Sequence, residues 1–337
     1  MFFIGIDGGG SKTKIQCYNA EGKLLAEDTV GTTDYHQIGV DGVIQTLNGA
    51  ANHLGFNGWS ECLVGFGMPA YGENKKEDDA TVEEIIKAFP EARINVENDV
   101  FCAWAGAMAF SAGVTVVCGT GSMAVGSDKS GKMARSGGWS EFFSDEGSGY
   151  WLGKKTLELF AKQSDSRLPR GPLYNLIRKH FKIGGGNGGE DAVGYGDSGS
   201  DFDIINIVNA EYIISRKKTA SLQMILMEAS KQGDIAALTA YEQALEEIVS
   251  IVLGTVRQLD FGDGEIDISY IGGLFNEEEL FLNPFKRALG EHFKANVFAP
   301  KLSPCHGALL FALDKFEKDN FEKIRSNFLR ANSHTDL

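Results

Sequence analysis

Positive charge is scarce in this 337-residue chain, in which 32 lysines and arginines face 46 aspartates and glutamates, for a formal net charge of −14. Nucleic acids and anionic membrane surfaces select basic faces, so this balance argues against both as partners. No apolar run approaches the roughly 20 residues of a membrane span. The N-terminus enters a predicted strand without a basic leader, and we therefore expect no signal peptide.

Cysteine is scarce as well, and its spacing excludes two kinds of site. The five cysteines are odd in number and widely separated, and no C-x-x-C occurs, so neither a zinc ribbon nor an iron–sulfur site of ordinary spacing is available. Four of them lie in apolar surroundings. We therefore expect buried, reduced thiols in a cytoplasmic protein.

Glycine, in contrast, is plentiful, with 42 residues, and the first cluster is the most informative. Residues 2–6 form an apolar run that Asp7 closes; three glycines and a Ser-Lys-Thr run follow, and residues 14–19 read as a second strand. A glycine-rich bend between two strands can wrap an anion, because glycine permits close backbone approach. Asp7 stands where a carboxylate could hold Mg²⁺ beside it. The pattern indicates a nucleotide phosphate loop.

Two familiar phosphate motifs do not fit this segment. The P-loop, G-x-x-x-x-G-K-[ST], runs into a helix; Gly5 and Gly10 have its spacing, but Ser11 takes the lysine position and a strand follows. The Rossmann fingerprint also needs a following helix. Taken alone, the segment could still be an ordinary glycine-rich hairpin turn.

The rest of the chain alternates strands and helices, which predicts an α/β architecture with a helical second half. A second strand, glycine loop and strand over 114–126 repeats the opening pattern and suggests a duplicated lobe. Residues 183–201 hold eight glycines and no hydrophobic period, so we expect an exposed loop there. We expect the residues after 316 to fray. Helices are predicted at 40–54, 79–89, 98–110, 149–163, 172–181, over most of 204–259, and at 306–316; further strands at 62–68, 94–96, 266–271 and 297–299.

Four segments each end an apolar strand in a glycine-rich or acidic turn: Asp7–Thr13, Glu97–Asp99, Gly119–Ser122 and Gly272–Leu274. Ligands of open α/β sheets bind at the carboxyl ends of strands, so these segments could converge on one cleft.

With these segments the chain resembles the N-acetylglucosamine kinase family, which is grouped with the BadF/BadG/BcrA/BcrD ATPases. That group belongs to the sugar kinase branch of the superfamily that contains actin, hexokinase and the heat-shock chaperone ATPases. The resemblance covers nearly the whole chain. It rests on IDGGGSKT (6–13), VENDV (96–100), CGTGSM (118–123), IGGLFN (271–276) and, most specifically, SGGWSEFFSDEGSGYWLG (136–153), which is similar to the family's sugar-contacting GGWG…GDEGSGYWIG.

The resemblance implies two ribonuclease-H-like lobes around a central nucleotide and sugar cleft. The first lobe would span 1–112, joined by a C-terminal helix at 306–330. The second would span 113–305, with a helical insertion and the glycine-rich 183–201 segment. A homodimer is compatible with the family.

The implied activity is ATP-dependent phosphorylation of the 6-hydroxyl of an amino sugar, most often N-acetylglucosamine, with ATP as phosphoryl donor and Mg²⁺ as cofactor. Asp7 would hold Mg²⁺ through water, since Mg²⁺ keeps several waters and takes few carboxylates. The phosphates would lie against Gly9, Gly10, Ser11, Lys12, Thr13, Thr120, Gly121 and Ser122, the adenosine against Gly272 and Gly273, and the sugar against Asp34, Asp99, Gly138, Trp139 and Asp145.

Asp99 is the implied catalytic residue. It would accept the proton of the sugar 6-hydroxyl and aim that oxygen at the γ-phosphorus, and its place at a helix N-terminus should keep it ionised. The structural alternative is that Asn98 or Asp99 simply caps the helix, which both residue types do well. Asn98 could cap while Asp99 points inward.

Four positions depart from the family pattern. Asp34 stands where an amide is common, Ser140 and Glu141 replace the last glycine and the histidine of GGWGH, and Ser144 replaces a glycine. Asp34 and Glu141 add negative charge near the expected sugar site, which would favour a cationic 2-amino group. A glucosamine kinase is therefore an alternative, and an N-acetylmuramate kinase is another.

Other functional classes remain open at this stage. The activator ATPases of acyl-CoA dehydratases and reductases resemble the chain in the phosphate loops but need cluster-binding cysteines at a dimer interface. A non-catalytic ATP-binding sensor would need no carboxylate at Asp99. A nicotinamide site at Gly119-Thr120-Gly121 is disfavoured, because a strand follows this turn.

Overall fold

Two five-stranded mixed sheets form the framework of the computed structural model, which describes residues 1–72, 74–183 and 200–332. The first sheet contains β1 (Phe2–Asp7), β2 (Thr13–Tyr18), β3 (Leu24–Val30), β4 (Cys62–Met68) and β5 (Arg93–Asn98). The second contains β6 (Gly113–Cys118), β7 (Ser122–Ser127), β8 (Met133–Gly137), β9 (Ile266–Ile271) and β10 (Ala295–Phe298).

The two sheets have the same topology, with strand orders β3-β2-β1-β4-β5 and β8-β7-β6-β9-β10. In each, the first three strands form an antiparallel meander and the last two join in parallel. The predicted α/β fold with a duplicated lobe is confirmed. The meander strands β3 and β8 were not predicted, because both are only partly buried and lack an apolar run.

Helices cover both sheets and fill the second half of the chain. They are α1 (Tyr35–His53), α2 (Lys75–Ala88), α3 (Asp99–Ala107), α4 (Gly149–Ser164), α5 (Pro172–Phe181), α6 (Asp203–Ile207), α7 (Arg216–Ser221), α8 (Gln223–Lys231), α9 (Ile235–Val256), α10 (Asn283–Gly290), α11 (Pro304–Phe316) and α12 (Phe321–Asn332). Within the described ranges, none is both long and apolar enough to cross a membrane.

The structure corrects several predicted boundaries. The segment after 316 does not fray throughout, because α12 buries Ile324 and Phe328 on one face. Helix α1 begins at Tyr35, five residues earlier than predicted, since Asp34 caps it. Of the predicted loop 183–201, residues 184–199 lie outside the described part; its ends at Ile183 and Asp201 are buried.

Helix α11 lies directly on the first sheet, and glycines make the close approach possible. A Cβ built on Gly5 would be 2.1 Å from the carbonyl oxygen of Cys305, and one on Gly65 would be 2.0 Å from that of Ala308. The two glycines are partners in the β1–β4 register. Backbone therefore packs against backbone, and no side chain fits between them.

We expect Gly65→Ala to destabilise the protein by about 3 kcal/mol, because the added methyl group meets backbone that must move. Gly49→Ala is the matched control: Gly49 lies in α1, and its added Cβ has no neighbour within 4 Å. That variant should gain about 0.5–1 kcal/mol from helix propensity. Urea unfolding of both variants at constant m-value tests the pair; equal midpoints would contradict the packing argument.

Candidate active site

The four glycine-rich or acidic segments lie at the carboxyl ends of strands, as predicted. Asp7 ends β1, Asn98 ends β5, Cys118 ends β6 and Ile271 ends β9. Residues that follow β5, β6 and β9 line two neighbouring cavities, each of which we name after one of its residues; Asp7 and the loop after β1 line neither.

The Asp99 cavity has a volume of about 460 Å³ and brings residues of both sheets together. Asp99 faces it from the first residue of α3, while Asn98 caps the helix through its side-chain oxygen, 2.9 Å from the Val100 nitrogen. The same nitrogen also donates to Asp99 Oδ1 at 2.9 Å, so Asp99 both lines the cavity and bonds to the helix start, and its catalytic role stays a prediction. The lining residues are Asp99, Val100, Val117, Gly119, Thr120, Gly121, Ser122, Met123, Gly138, Trp139, Ser140, Glu141, Asp145 and Arg216.

The Gly273 cavity is smaller, about 230 Å³, and belongs to the second sheet. Gly272 has φ +130°, and a Cβ there would be 1.9 Å from the Cys118 carbonyl oxygen, so only glycine fits this turn. The turn places Gly273 at the cavity wall. The lining residues are Cys118, Gly119, Thr120, Gly149, Lys217, Ala220, Ser221, Gln223, Gly273 and Leu274.

The loop after β6 separates the two cavities. Gly119 and Thr120 line both of them. The start of α4 fixes this loop, because the Gly149 nitrogen donates to the Gly119 carbonyl (2.9 Å) and the Tyr150 nitrogen to the Thr120 carbonyl (3.1 Å). Groups bound in the two cavities would therefore meet across this loop.

Asp145 is nearly fully buried, at 4% exposure, and has φ +63°, which is unusual for a residue with a side chain. Its Oδ1 accepts from the Ser122 nitrogen at 3.1 Å, and its Oδ2 pairs with the Arg216 guanidinium. The carboxylate therefore joins the segment 136–153 to the start of β7, directly after the loop that follows β6. This supports a site residue rather than a solvated turn.

Two residues predicted to bind phosphate have other partners. The Ser122 hydroxyl donates to the Glu146 carbonyl at 2.6 Å, and its nitrogen donates to Asp145. The Thr13 hydroxyl is buried and lies 2.9 Å from that of Thr33. Both hydroxyls therefore help to fix the shape of their loops, and a phosphate contact by either residue stays a prediction.

The loop Gly9–Thr13 lines neither cavity. The Thr32 hydroxyl donates to the Gly9 carbonyl (2.8 Å) and the Gln37 side chain to the Gly10 carbonyl (3.0 Å). Gly10 and its two successors, Ser11 and Lys12, are exposed. The first loop is therefore anchored to the start of α1, with its tip in solvent.

Asp7 ends β1 with a desolvated carboxylate. Burial raises its pKa to about 6, against the opposing charges of Lys14 and Lys12. A carboxylate that the protein's own cations do not fully compensate suits a hard cation such as Mg²⁺. In the described ranges, no three His, Cys, Asp or Glu side chains form a metal-binding group. Mg²⁺ keeps several waters, so Asp7 could hold it through water without a cluster of protein ligands.

Asp34 and Glu141, the two departures from the family pattern that suggested a cationic sugar, both have partners within the protein. Asp34 caps α1: its Oδ1 accepts from the His36 nitrogen at 3.0 Å and its Oδ2 from Gln37 at 2.7 Å. Glu141 lies 3.3 Å from the Nε of Arg216. Asp34 lines neither cavity, and Glu141 does not act as an isolated negative charge.

Arg216 is the site residue that sequence reasoning missed. It begins α7 in a helical stretch and lies 71 positions from Asp145 along the chain, so no local motif marks it. Lys217, on the same helix, lines the Gly273 cavity.

All five cysteines are free and buried, which confirms the expectation of reduced interior thiols. Burial raises the pKa of Cys17 to about 11 and that of Cys62 to about 12, so neither is a reactive thiolate.

Comparison with known proteins gives a consistent result. The model of the BadF/BadG/BcrA/BcrD ATPase family matches residues 4–312. An N-acetylmuramic acid/N-acetylglucosamine kinase of Clostridium acetobutylicum is 28% identical, over 92% of this chain and 98% of its own. An N-acetyl-D-glucosamine kinase of Dictyostelium discoideum is 24% identical, over 93% and 98%. A solved structure of a candidate N-acetylglucosamine kinase from Chromobacterium violaceum superposes with a TM-score of 0.70 at 24% identity, over 92% and 98%.

Proposed function

The chain belongs to the BadF/BadG/BcrA/BcrD ATPase family, and from that premise we propose that it is an ATP-dependent amino-sugar kinase. It transfers the γ-phosphoryl group of ATP to the 6-hydroxyl of the sugar, with N-acetylglucosamine as the leading acceptor. The relatives named above support this activity over almost their whole length. The observation that carries the proposal is the pair of cavities that share Gly119 and Thr120.

The Gly273 cavity would receive the nucleotide. Adenosine would lie against Gly273, where an added Cβ would have no neighbour within 4 Å, while Gly272 packs behind it on the Cys118 carbonyl. The phosphates would then follow the shared loop past Thr120 and Gly121 toward the Asp99 cavity. Gly9–Lys12 would contact them from the first sheet, with Lys12 adding a positive charge. A loop with an exposed tip suits this role, because it can close on the phosphates once they are bound.

Asp7 would hold Mg²⁺ through water at the end of β1. When bound, the ion neutralises phosphate charge during transfer. Asp7 contributes the ionised carboxylate that attracts and orients it, and the Lys12 and Lys14 charges help to keep that carboxylate ionised.

The Asp99 cavity would receive the sugar. Asp145 would accept from sugar hydroxyls, and Gly138 with Trp139 would form the rim; Asp34 could contribute only from outside this cavity. As the sugar 6-oxygen bonds to the γ-phosphorus, the bond from that phosphorus to the bridging oxygen of ADP breaks. The hydroxyl proton passes to Asp99.

The lobes follow from the same assignment. We propose a first lobe of residues 1–112 completed by the C-terminal residues 306–330, which form the two helices α11 and α12 rather than the one helix expected, and a second lobe of 113–305. The packing of α11 against β1, β4 and β5 supports the first assignment. The cytoplasmic location and the homodimer stay predictions.

The activator ATPases are a less suitable alternative, because all five cysteine side chains are buried and none can ligate a cluster at a subunit interface.

A coupled ADP-release screen across hexoses and amino sugars tests the function. We expect sugar-dependent turnover with amino sugars, and highest kcat/KM for an N-acetylated one. ADP release that is equal with and without sugar would instead indicate the non-catalytic or sensor class. Product analysis by phosphorus NMR would locate the phosphate on the 6-oxygen.

A further inference from the structure

Arg216 occupies a central position in the Asp99 cavity. Its guanidinium pairs with Asp145 through a terminal nitrogen and lies 3.3 Å from Glu141 through Nε. The same terminal nitrogen is 2.6 Å from where a Cβ on Gly121 would stand. Arg216 therefore contacts the sugar-contacting segment and the loop after β6 together.

Among the described residues that line this cavity, Arg216 carries the one positive charge, against Asp99, Glu141 and Asp145. Nearby, Arg216 lies 5.9 Å from the Tyr150 ring, and Lys154 approaches both that ring (4.7 Å) and the Glu141 carbonyl (3.4 Å). Lys154 therefore contacts the main-chain carbonyl of Glu141, whereas Arg216 contacts the carboxylates of both Glu141 and Asp145. Without Arg216, two adjacent carboxylates would be largely uncompensated.

We propose that Arg216 is a specificity-determining residue that makes the cavity suitable for a neutral N-acetylated sugar rather than a cationic free amino sugar. Two carboxylates side by side attract an ammonium group, and a guanidinium that pairs with both cancels one of their two charges and so weakens that attraction. A guanidinium also has five N–H donors, so beyond its carboxylate partners it can donate to an uncharged acyl oxygen. This inference rests on the proposed function and refines its acceptor.

The test compares kcat/KM for glucosamine and N-acetylglucosamine in the wild type, Arg216→Gln and Arg216→Lys. Arg216→Gln should raise the glucosamine to N-acetylglucosamine ratio by about tenfold at a pH where the amine is protonated. The change should vanish at a pH where the amine is neutral, which a merely structural role would not produce. Arg216→Lys, which keeps the charge, should stay near the wild-type ratio.

Glu141→Gln gives an independent arm, since Glu141 is about half exposed and its replacement should be tolerated. It removes one carboxylate but leaves Arg216, so the ratio should move in the opposite direction. A ratio unchanged in Arg216→Gln, or an equal change at both pH values, would overturn the assignment of Arg216. A wild type inactive on every amino sugar would overturn the proposed function itself, so the two failures are distinguishable.

Discussion

Replacing Asp99 by Asn is expected to lower kcat/KM for the best sugar by about 10³-fold, the middle of the range for loss of a general base. The amide has the same shape, but it cannot accept the proton of the 6-hydroxyl. Helix α3 should survive, because Asn98 provides its cap. The loss should fall on kcat, since sugar and nucleotide still bind through the other residues of the two cavities.

Glu97→Gln is the matched control for Asp99→Asn. Glu97 lies at the same strand end, two residues earlier, and does not line the Asp99 cavity. We expect it to stay within a few-fold of wild type. Both variants are measured by steady-state kinetics and by calorimetric ATP binding. Full activity of Asp99→Asn would refute the mechanism. An equal loss of activity in both variants would indicate a general electrostatic effect.

Replacing Asp7 by Asn should lower the activity of the protein and raise its stability. Asp7→Asn removes the expected Mg²⁺ ligand, and we expect kcat to fall by about 100-fold or more. The same substitution should stabilise the free protein near pH 7.5 by about 2–3 kcal/mol.

The sign of this stability change follows from the direction in which the pKa of Asp7 is shifted. Burial raises the pKa of Asp7 from its ordinary 3.8 to about 6, so the folded state prefers the protonated carboxyl. The stability that this preference contributes is complete below the ordinary pKa and is lost as the pH rises through about 6. Asn carries no charge to desolvate, so its advantage should appear above pH 6 and disappear near pH 4.

Urea unfolding across this pH range, with and without Mg²⁺ and nucleotide, measures both effects. Asp128→Asn provides a control of opposite sign. Asp128 accepts hydrogen bonds from Ser130 and neighbouring backbone, which lower its pKa, so its contribution is present at neutral pH and lost on acidification. That variant should be less stable than wild type at neutral pH. A loss of stability in Asp7→Asn at pH 7.5 would contradict the desolvation argument.

Much of the framework was readable from local sequence. Strands 62–68 and 266–271 were predicted to the residue, because each is a short apolar run that ends at a turn, Pro69 after the first and Gly272 after the second. The glycine loops were also placed correctly at strand ends. Strands β3 and β8 were not predicted, because both are only partly buried and their sequences contain no apolar run.

The roles of single polar residues were harder to predict. Asp34 and Glu141 looked like additional negative charge at a sugar site, yet one caps α1 and the other pairs with Arg216. Thr13 and Ser122 belong to glycine-rich phosphate motifs, yet their hydroxyls have protein partners. A motif gives the residue types present, but the hydrogen-bond partner of each depends on neighbours distant in sequence.

The sequence by itself determined the architecture, the strand ends that carry the site and the family, because apolar periodicity and glycine turns are local properties. Only the tertiary structure decided how the Asp99 and Gly273 cavities meet at the loop after β6, and that Arg216 stands between Glu141 and Asp145. The physical reason is that cavity shape and local charge arise from groups brought together by packing. The electrostatics of the acceptor site are therefore a property of the folded chain.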